Sequence, residues 1–532
     1  MRKNLIIFTD SGDTLIDEGT EIRNEEGIVV HADLIPGAKE TLLALYEEGY
    51  RIALVADGNE QSFTNVYLEN GLSHCFCTRS ISEIVGEEKP SARMFRDAMD
   101  KNGLTDADKG RIVMVGNNLR RDIVGANRFG LTSILLDWSP RYNMVPETKE
   151  QEPDYIIHNP AELPALLGRL ERREQVRRTL ALLADSFQKV LYEEDKTFLE
   201  NMKTKSLASD DIGKYRFWEW TQGVGLFGFW KYYELCRDET YLDVLEKYYS
   251  RQIRTGLPAR NVNTVTPLLA LSYYAEAFQK TEYLDICKEW AEWILTEFPR
   301  TQEGGLQHIT SDSVNEEEIW DDTLFMTVLF LAHMGKILKR QDYIEEAVYQ
   351  FLLHVKYLAD PVTGLWYHGW TFKERNHFAG AFWGRGNCWI TAAIPELIAM
   401  GVCSPAVERY LAGVLKNQVD ALAALQEEDG MWHTLLDDKT SYEEASATAG
   451  FAYGIEKAVN LGILDVSYRH ISDRALDAVL GCVTEKGIVT QVSYGTPMGR
   501  KSREFYKNIP LQPMPYGQAL AILCFMEWLN RK

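Results

Sequence analysis

A loose repeat of paired helical patterns fills the chain from about residue 174 onward. Most pairs join an apolar segment rich in small residues to an amphipathic segment that opens on a tyrosine. The apolar segments begin near Thr221, Val265, Asp322, Cys388, Ala447 and Tyr516. The amphipathic segments begin at Tyr241, Tyr283, Tyr343, Tyr410 and Tyr468, and residues 175–191 supply a sixth at the front. Because their spacing is too irregular for an open solenoid, the pattern predicts a closed barrel of six inner helices ringed by six outer ones.

The first part of the chain has a different pattern, in which short apolar strands alternate with helices. The predicted strands are Leu5–Thr9, Ile52–Ala56, Ile112–Val115, Ser133–Leu136 and Tyr155–Ile157. Amphipathic stretches such as Ala38–Glu48 and Arg93–Lys101 lie between them. This alternation is typical of a parallel sheet with helices on both faces. Since 532 residues exceed one ordinary core, we predict two domains: a Rossmann-like α/β domain over 1–170 and an all-α barrel over 174–532.

Composition narrows the range of partners and compartments. The net charge of −21 argues against binding to nucleic acid or to an anionic membrane surface. A hydrophobic content of 45% and a charged content of 25% are typical of a soluble globular protein. No run of roughly 18 apolar residues is present, and the start of the chain does not resemble a secretory signal. The eight cysteines are scattered, as expected for reduced thiols. We therefore expect a cytoplasmic protein.

Tryptophans stand beside charged residues in the motifs EIWDD, GLWYHGW and FWGRGNCW. Indole faces stack on sugar rings, a cation binds a carboxylate, and a buried acid can move a proton. Similar groups recur where the predicted inner helices begin: Trp220 and Gln222, Asn261 and Asn263, Trp320 and Asp322, Trp383 and Arg385, Glu444 and Ser446, and Tyr516. If the inner helices run parallel, these groups meet at one mouth of the barrel. The sequence therefore predicts a carbohydrate site there.

The barrel half resembles glycoside hydrolase family 105, the unsaturated rhamnogalacturonyl hydrolases, which are related to the family 88 unsaturated glucuronyl hydrolases. The matching segments run in order from Phe217 to Leu529: WEWTQGVGLFGFWKYYE, PRTQEGGLQHIT, WDDTLFMTVLFLA, GLWYHGW, FWGRGNCWITAAI and SYEEASATAGFAYGIEKA. The resemblance implies an (α/α)6 barrel that needs no cofactor. It also implies an oligosaccharide substrate, a lyase-generated disaccharide whose non-reducing 4,5-unsaturated uronic acid is released. Unsaturated galacturonyl-rhamnose from pectin is the expected disaccharide.

By this resemblance Asp322 is the catalytic acid. It would protonate carbon 4 of the double bond so that water adds at carbon 5, and the resulting hemiketal would open and expel the neighbouring sugar. Such an acid must hold a pKa well above the ordinary value of about 3.9. Burial beside Trp320 and Asp321 would raise the pKa, whereas a helix first turn would lower it. The sequence leaves the net direction open, and a simple helix-capping role is the alternative.

Substrate contacts follow from the same motifs. Arg385 is the candidate for the uronate carboxylate, because its planar fork matches carboxylate oxygens; a structural salt bridge is the alternative. Trp383 and Trp389 are candidates for stacking on sugars, and His308 and His368 match family positions near the reacting ring. The remaining candidates for the pocket wall are Trp220, Gln222, Asn263, Trp320, Trp370 and Glu444.

One loop departs from the family pattern. Many relatives carry a second acid before the second inner helix, where this chain reads PARNVNTVTP, with Arg260, Asn261 and Asn263 and no acid. The departure leaves the leaving sugar open. Glycosaminoglycan or ulvan disaccharides are therefore alternative substrates, and an inactive sugar-binding sensor is an alternative of a different kind.

The N-terminal part resembles the haloacid dehalogenase superfamily of Asp-nucleophile phosphohydrolases. The matching segments are IIFTDSGDTLID, LVADG, GEEKPSARMF and VMVGNNLRRDIVGANRFG. The resemblance implies a nucleophile at Asp10, charge balance by Lys89, and magnesium held by Asp10 and Asp122.

Several positions depart from that superfamily pattern. Gly12 stands where the leaving-group acid belongs, with Asp13 next to it, and Asn117 replaces the leading acid of the last motif. Ala56 or Asp57 stands where a Ser or Thr is usual. We therefore predict a degenerate domain. The alternative is a magnesium-dependent sugar-phosphate phosphatase that uses Asp10, Asp13, Lys89 and Asp122.

Overall fold

The computed structural model describes residues 3–194, 196–205 and 212–531. The chain divides into two compact units, Met1–Gln175 and Val176–Lys532. The strands of the first unit are β1 Ile6–Thr9, β2 Ile22–Arg23, β3 Val29–His31, β4 Arg51–Ala56, β5 Phe76–Ile81, β6 Ile112–Gly116, β7 Thr132–Leu136 and β8 Tyr155–Ile157. Six of them form a parallel sheet in the order β5-β4-β1-β6-β7-β8, and β2 and β3 form a separate hairpin.

Helices cover both faces of this sheet. Within the first unit they are α1 Ala38–Glu47, α2 Glu60–Glu69, α3 Ser82–Val85, α4 Ala92–Lys101 and α5 Val124–Phe129. Alternate strand residues point to opposite faces, so Ile7 packs with α1 and α2 while Ile6 packs with α4 and α5. The predicted parallel α/β fold is confirmed. The prediction missed β5, because FCTRSI mixes polar and apolar residues and lacks an apolar run.

The second unit is nearly all helical. Its inner helices are α9 Trp220–Cys236, α11 Val262–Ala277, α13 Leu329–Leu338, α15 Gly384–Ala399, α17 Ala445–Asn460 and α20 Pro515–Leu529. Its outer helices are α6 Leu163–Val190 (from Val176), α10 Glu239–Thr255, α12 Thr281–Thr296, α14 Gln341–Leu358, α16 Pro405–Leu425 and α18 Arg469–Gly481. Short helices α7 Lys196–Lys205, α8 Ile212–Tyr215 and α19 Glu504–Lys507 lie between them. Neighbouring inner helices pack side by side, and α20 packs on α9 and closes the ring.

Small residues let the inner helices approach closely. A Cβ at Gly454 of α17 would lie 2.2 Å from the backbone oxygen of Thr391 in α15. A Cβ at Gly223 of α9 would lie 2.6 Å from the backbone nitrogen of Pro267 in α11. The predicted (α/α)6-type barrel is confirmed. The inner helices begin close to the predicted points except α13, which begins at Leu329 and not near Asp322, because the π-helical turn Leu324–Val328 comes first.

Loops before the inner helices carry local structure. The antiparallel strands β9 Glu318–Trp320 and β10 Gly369–Thr371 pair Trp320 with Gly369. This pairing fixes Trp320 immediately before Asp321 and Asp322, and a π-helical turn at Leu324–Val328 then leads into α13. In the part of the chain that the structure describes, no helix has the length and apolarity needed to cross a bilayer.

Candidate active site

A cavity of about 620 Å³ lies at the end of the barrel where the inner helices begin. Its predicted lining residues are Trp220, Gln222, Asn263, His308, Trp320, Asp322, Trp383, Arg385 and Trp389. Tyr516, at the start of α20, lines it beside Trp220. The structure thus brings together side chains that lie far apart in the sequence, at the parallel N-terminal ends of successive helices.

Asp322 lies in the turn that precedes the π-helical start of α13. Its side chain is 18% exposed, and its Oδ1 lies 3.4 Å from Nδ1 of His308. Burial raises the pKa of Asp322 to about 7, although its own backbone N–H, the charge of Arg385 and the N–H of Thr323 act in the opposite direction. Asp322 is therefore substantially protonated near neutral pH, and it can donate a proton to a ligand in the cavity.

Asp321 is the wholly buried neighbour of Asp322. Burial and the Asp322 charge raise its pKa well above the usual range, and neither carboxyl oxygen has a hydrogen-bond partner among the described residues. A Cβ at Gly386 of α15 would lie 2.2 Å from Oδ2 of Asp321. Only a glycine at position 386 leaves room for the Asp321 side chain. The turn before α13 therefore packs closely against α15, with the uncharged Asp321 between them.

A stacked pair of rings adjoins Asp322. The rings of His308 and Trp320 lie parallel, with centroids 4.1 Å apart and an interplanar angle of 10°. Nδ1 of His308 is 2.8 Å from Oγ1 of Thr323. Burial lowers the pKa of His308 to about 3, so the imidazole is neutral and can orient a water molecule or a sugar hydroxyl without repelling a cation.

Indole and phenol rings form much of the cavity wall. Trp220 stacks on Tyr516 with centroids 4.6 Å apart, and Trp389 meets Trp220 edge-on at 6.2 Å. The guanidinium of Arg385 lies 4.7 Å from the ring of Trp383 and 4.6 Å from that of Tyr516. Such surfaces suit the flat apolar faces of sugar rings.

Arg385 is 1% exposed, and protein acceptors take most of its donors. Nη1 donates to Oγ of Ser493 at 2.6 Å, Nη2 donates to Oγ1 of Thr496 at 2.8 Å, and Nη1 lies 3.6 Å from Glu444. Nε has no hydrogen-bond partner among the described residues. Arg385 therefore anchors the 493–496 segment, lines the cavity with its charged side chain, and keeps one buried N–H without a partner among the described residues.

Three predicted site residues lie behind the wall rather than on it. His368 bonds to Tyr506 through Nδ1 at 2.7 Å, and Glu444 accepts hydrogen bonds from Ser446 and from the N–H of Ser493. Trp370 packs against Tyr357, with centroids 5.2 Å apart. In the described structure none of the three lines the cavity, because each is turned toward the loops that support the wall.

Glu219 lines the cavity although the sequence patterns did not single it out. It is 5% exposed, precedes α9 directly, and accepts a hydrogen bond from Ser311 Oγ. Burial raises the pKa of Glu219 to about 8, against hydrogen bonds from Ser311, Trp220 N–H and Asn263. The signal for it in the sequence is an acid between two tryptophans in WEW, at the start of an inner helix.

The N-terminal unit gathers its acids at the carboxyl ends of parallel strands, where α/β ligand sites form. Asp10 follows β1, and Asp122 follows β6. Nζ of Lys89 lies 2.6 Å from Oδ1 of each. Burial and the charge of Asp10 raise the pKa of Asp122 to about 7. Asn117 is buried beside them, and its Nδ2 has no partner among the described residues.

In the same unit, the side chain of Glu18 occupies the space above Gly12. A Cβ at Gly12 would lie 2.0 Å from Oε1 of Glu18. Burial and the charge of Asp13 raise the pKa of Glu18, against a hydrogen bond from Tyr142. Asp13 itself is held by Arg141. Glu18 thus lies where a side chain at position 12 would otherwise project.

Magnesium would be held in this unit by Asp10 and Asp122, since Mg²⁺ binds through one or two carboxylates together with substrate phosphates. The carboxylate donors fit that chemistry. Among the described residues no group of three or more His, Cys, Asp or Glu side chains is arranged to hold a metal, so phosphate oxygens and water would have to complete the coordination.

The barrel, its indole-lined cavity and the buried acids at its inner-helix starts define a carbohydrate-active hydrolase. Residues 193–532 match the family model of Glycosyl Hydrolase Family 88, and residues 7–136 match that of haloacid dehalogenase-like hydrolases. The chain belongs to glycosyl hydrolase family 88 and carries a haloacid dehalogenase-like domain at its N-terminal side.

Individual relatives agree with this assignment. The chain is 35% identical to the unsaturated rhamnogalacturonyl hydrolase YesR of Bacillus subtilis (strain 168) over 318 residues, which are 59% of this chain and 90% of the relative. A crystal structure of a possible GH105 family member from Klebsiella pneumoniae superposes with a TM-score of 0.62 at 43% identity, over 66% of this chain and 93% of that one. A glyceraldehyde 3-phosphate phosphatase of Pyrococcus furiosus is 33% identical over 138 residues, 26% of this chain and 55% of the phosphatase.

Proposed function

We propose that the barrel releases a 4,5-unsaturated uronic acid from the non-reducing end of lyase-generated disaccharides, with unsaturated galacturonyl-rhamnose as the preferred substrate. The observation that carries this proposal is Asp322, an acid in a sugar-sized cavity with its pKa raised to about 7. The similarity to an unsaturated rhamnogalacturonyl hydrolase supports it. Release of the uronic acid in the cytoplasm accords with the free state of the cysteines.

The chemistry needs one group that first gives and then takes a proton. Protonated Asp322 donates its proton to carbon 4 of the enol ether, and positive charge develops at carbon 5. Water adds at carbon 5 and returns its proton to the Asp322 carboxylate, which restores the acid. The hemiketal then opens and expels the neighbouring sugar. One acid can serve both steps, whereas ordinary glycoside cleavage requires two carboxylates that flank the bond.

Neighbouring groups position the reactants. His308 is neutral and lies 3.4 Å from Asp322, which suits it to orient the water. Trp220, Trp383 and Trp389 supply stacking surfaces for the two sugar rings. We place the uronate end of the substrate beside Arg385, which lines the cavity and whose Nε–H has no partner among the described residues.

The decisive measurement follows the ultraviolet absorbance of the conjugated double bond in lyase-generated disaccharides. We expect the wild-type protein to remove this absorbance and Asp322→Asn to slow its loss by roughly 10²–10⁴-fold. Asp285→Asn is the matched control, since Asp285 is exposed on α12 and paired with Lys288. Saturable binding of the disaccharide with no loss of absorbance would instead identify a sugar-binding sensor.

The leaving sugar requires a panel of substrates. Disaccharides from pectin, glycosaminoglycans and ulvan share the unsaturated uronate and differ in the ring that departs. We expect the pectin-derived disaccharide to give the highest kcat/KM. A higher kcat/KM with a glycosaminoglycan or ulvan disaccharide would mean that the enzyme prefers that leaving sugar, while the proposed reaction would stay the same.

A second candidate function is hydrolysis of phosphate monoesters by the N-terminal unit, and one observation favours it. Glu18 occupies the space left by Gly12, and its raised pKa suits a group that protonates a leaving alcohol. Asp10 would attack phosphorus, and Lys89 would balance its charge. With p-nitrophenyl phosphate and magnesium, we expect release of phosphate that Asp10→Asn abolishes and Glu18→Gln slows. If the wild type releases none, the unit is degenerate, as the sequence departures predict.

A further inference from the structure

Four cations line the barrel cavity among the described residues, and each already has an acidic partner. Lys205 lies 3.3 Å from Asp312, Arg216 lies 2.8 Å from Glu194, Arg500 lies 2.6 Å from Glu318, and Arg385 lies 3.6 Å from Glu444. A uronate anion that enters this cavity therefore finds no cation waiting without a counter-charge. Besides the Nε–H of Arg385, its carboxylate therefore needs a hydrogen-bond donor that is not already paired with an acid.

Glu219 lies on the cavity wall, where its protonated carboxyl group can donate such a hydrogen bond. It is 5% exposed, and its Oε2 has no hydrogen-bond partner among the described residues although it lies on the cavity wall. A buried carboxyl oxygen without a partner costs free energy unless a ligand satisfies it.

A small network fixes the orientation of Glu219. Ser311 donates to Oε1 of Glu219, and Asn261 Nδ2 donates to Ser311 Oγ at 3.1 Å. Asn261 is itself fixed as the cap of α11, where its Oδ1 accepts from two backbone N–H groups. With Oε1 held in this way, Oε2 is the carboxyl oxygen left for a ligand to contact.

The charged and titratable groups around Glu219 act in one direction. Asp312 is a nearby negative charge that raises the pKa of Glu219, and the neighbouring Tyr248 is held neutral by burial. Hydrogen bonds from Ser311 and Asn263 lower the pKa without cancelling the effect of burial. The side chain thus presents a neutral carboxylic acid, which can donate to an anion, whereas an ionised carboxylate in the same place would repel one.

We infer that Glu219 binds the uronate carboxylate of the substrate by donating a hydrogen bond from its protonated Oε2, and so selects for an acidic sugar. This inference rests on the proposed function of the barrel. It makes Glu219 a specificity-determining residue, distinct from Asp322, which supplies the proton for the reaction.

Binding to an Asp322→Asn background isolates this interaction, because neither turnover nor titration of Asp322 then contributes. Calorimetry across pH 6.5–9.5 would compare the unsaturated disaccharide with its uronate methyl ester. We expect the Kd of the acid to rise about tenfold per pH unit above the pKa of Glu219, near 8, while the Kd of the ester stays flat. Adding Glu219→Gln should flatten the curve for the acid, since an amide donates at every pH.

A second variant tests the inference independently, in case the Glu219→Gln variant does not fold. Ser311→Ala removes a hydrogen bond that lowers the pKa of Glu219, so the rise in Kd should move to higher pH. The inference is overturned if the acid binds with a pH-independent Kd, if the ester shows the same rise, or if the Gln variant retains it. Failure of the proposed function is a separate result: the wild type would then bind the disaccharide but leave its double bond intact.

Discussion

The two ends of the barrel bury acids in opposite electrostatic settings. Where the inner helices begin, Asp322 and Glu219 lie in the cavity with raised pKa values and unpartnered oxygens. Where they end, Glu396 of α15 is 1% exposed, yet its pKa is lowered to about 2. Lys457 of α17 lies 2.8 Å away and Lys231 of α9 lies 3.9 Å away, and their charges outweigh burial.

Burial alone raises the pKa of a carboxyl group, and neighbouring cations can reverse that shift. Equal burial leaves Glu219 protonated and Glu396 ionised, because only Glu396 has cations placed against it. An ionised, paired acid ties three helices together and contributes to stability. An uncharged acid with a free oxygen contributes little to the fold, and it is available to a ligand.

The largest expected effect is a loss of stability when the buried ion pair of Glu396 is broken. Glu396→Gln leaves Lys457 buried beside a neutral amide, and we expect the free energy of unfolding to fall by about 3–5 kcal/mol. Asp321→Asn is the matched variant, because Asp321 is buried, uncharged and unpaired, and it should change stability much less. Urea denaturation monitored by tryptophan fluorescence would measure both. A greater loss with Asp321→Asn would contradict the comparison.

The next largest effect is the pH dependence of kcat/KM, which tests the protonation state of Asp322. Because Asp322 must be protonated to react, kcat/KM should be constant well below pH 7 and fall about tenfold per pH unit between pH 7 and 8, above which ionisation of Glu219 steepens the fall. The sign follows from the raised pKa, which keeps the active, protonated form present up to neutrality. Initial rates between pH 5 and 9 would show this. An optimum above pH 8 would mean that the ionised form of Asp322 is the active one.

The smallest effect concerns Arg385, one of the cations that line the cavity. Arg385→Lys loses the planar fork that holds Ser493 and Thr496, and we expect kcat/KM to drop roughly 10–100-fold, as for loss of hydrogen bonds to a charged group. Trp383→Phe keeps an aromatic face and should cost less. Steady-state kinetics of both variants would rank them. If the Lys variant keeps the wild-type KM, Arg385 does not contribute to binding of the uronate carboxylate.

Local patterns were enough to locate most elements and part of the site. The strand at Tyr155–Ile157 and the inner helix that begins at Trp220 lie where hydrophobic periodicity placed them. Asp322 and Trp320 could be proposed from one motif, because they are adjacent in the chain. The strand Phe76–Ile81 could not, since its pairing with β4 stabilises it more than its own composition does.

The sequence by itself determined the periodicity of the helices, the change of pattern between the two units, and the residue types available for chemistry. Only the tertiary structure decided which side chains face the cavity. It turned His368 and Trp370 toward supporting loops, and it brought Glu219 to the wall. The physical reason is that a pKa and an unpaired oxygen depend on neighbours from distant segments, such as Ser311 beside Glu219, and these neighbours meet only in the folded barrel.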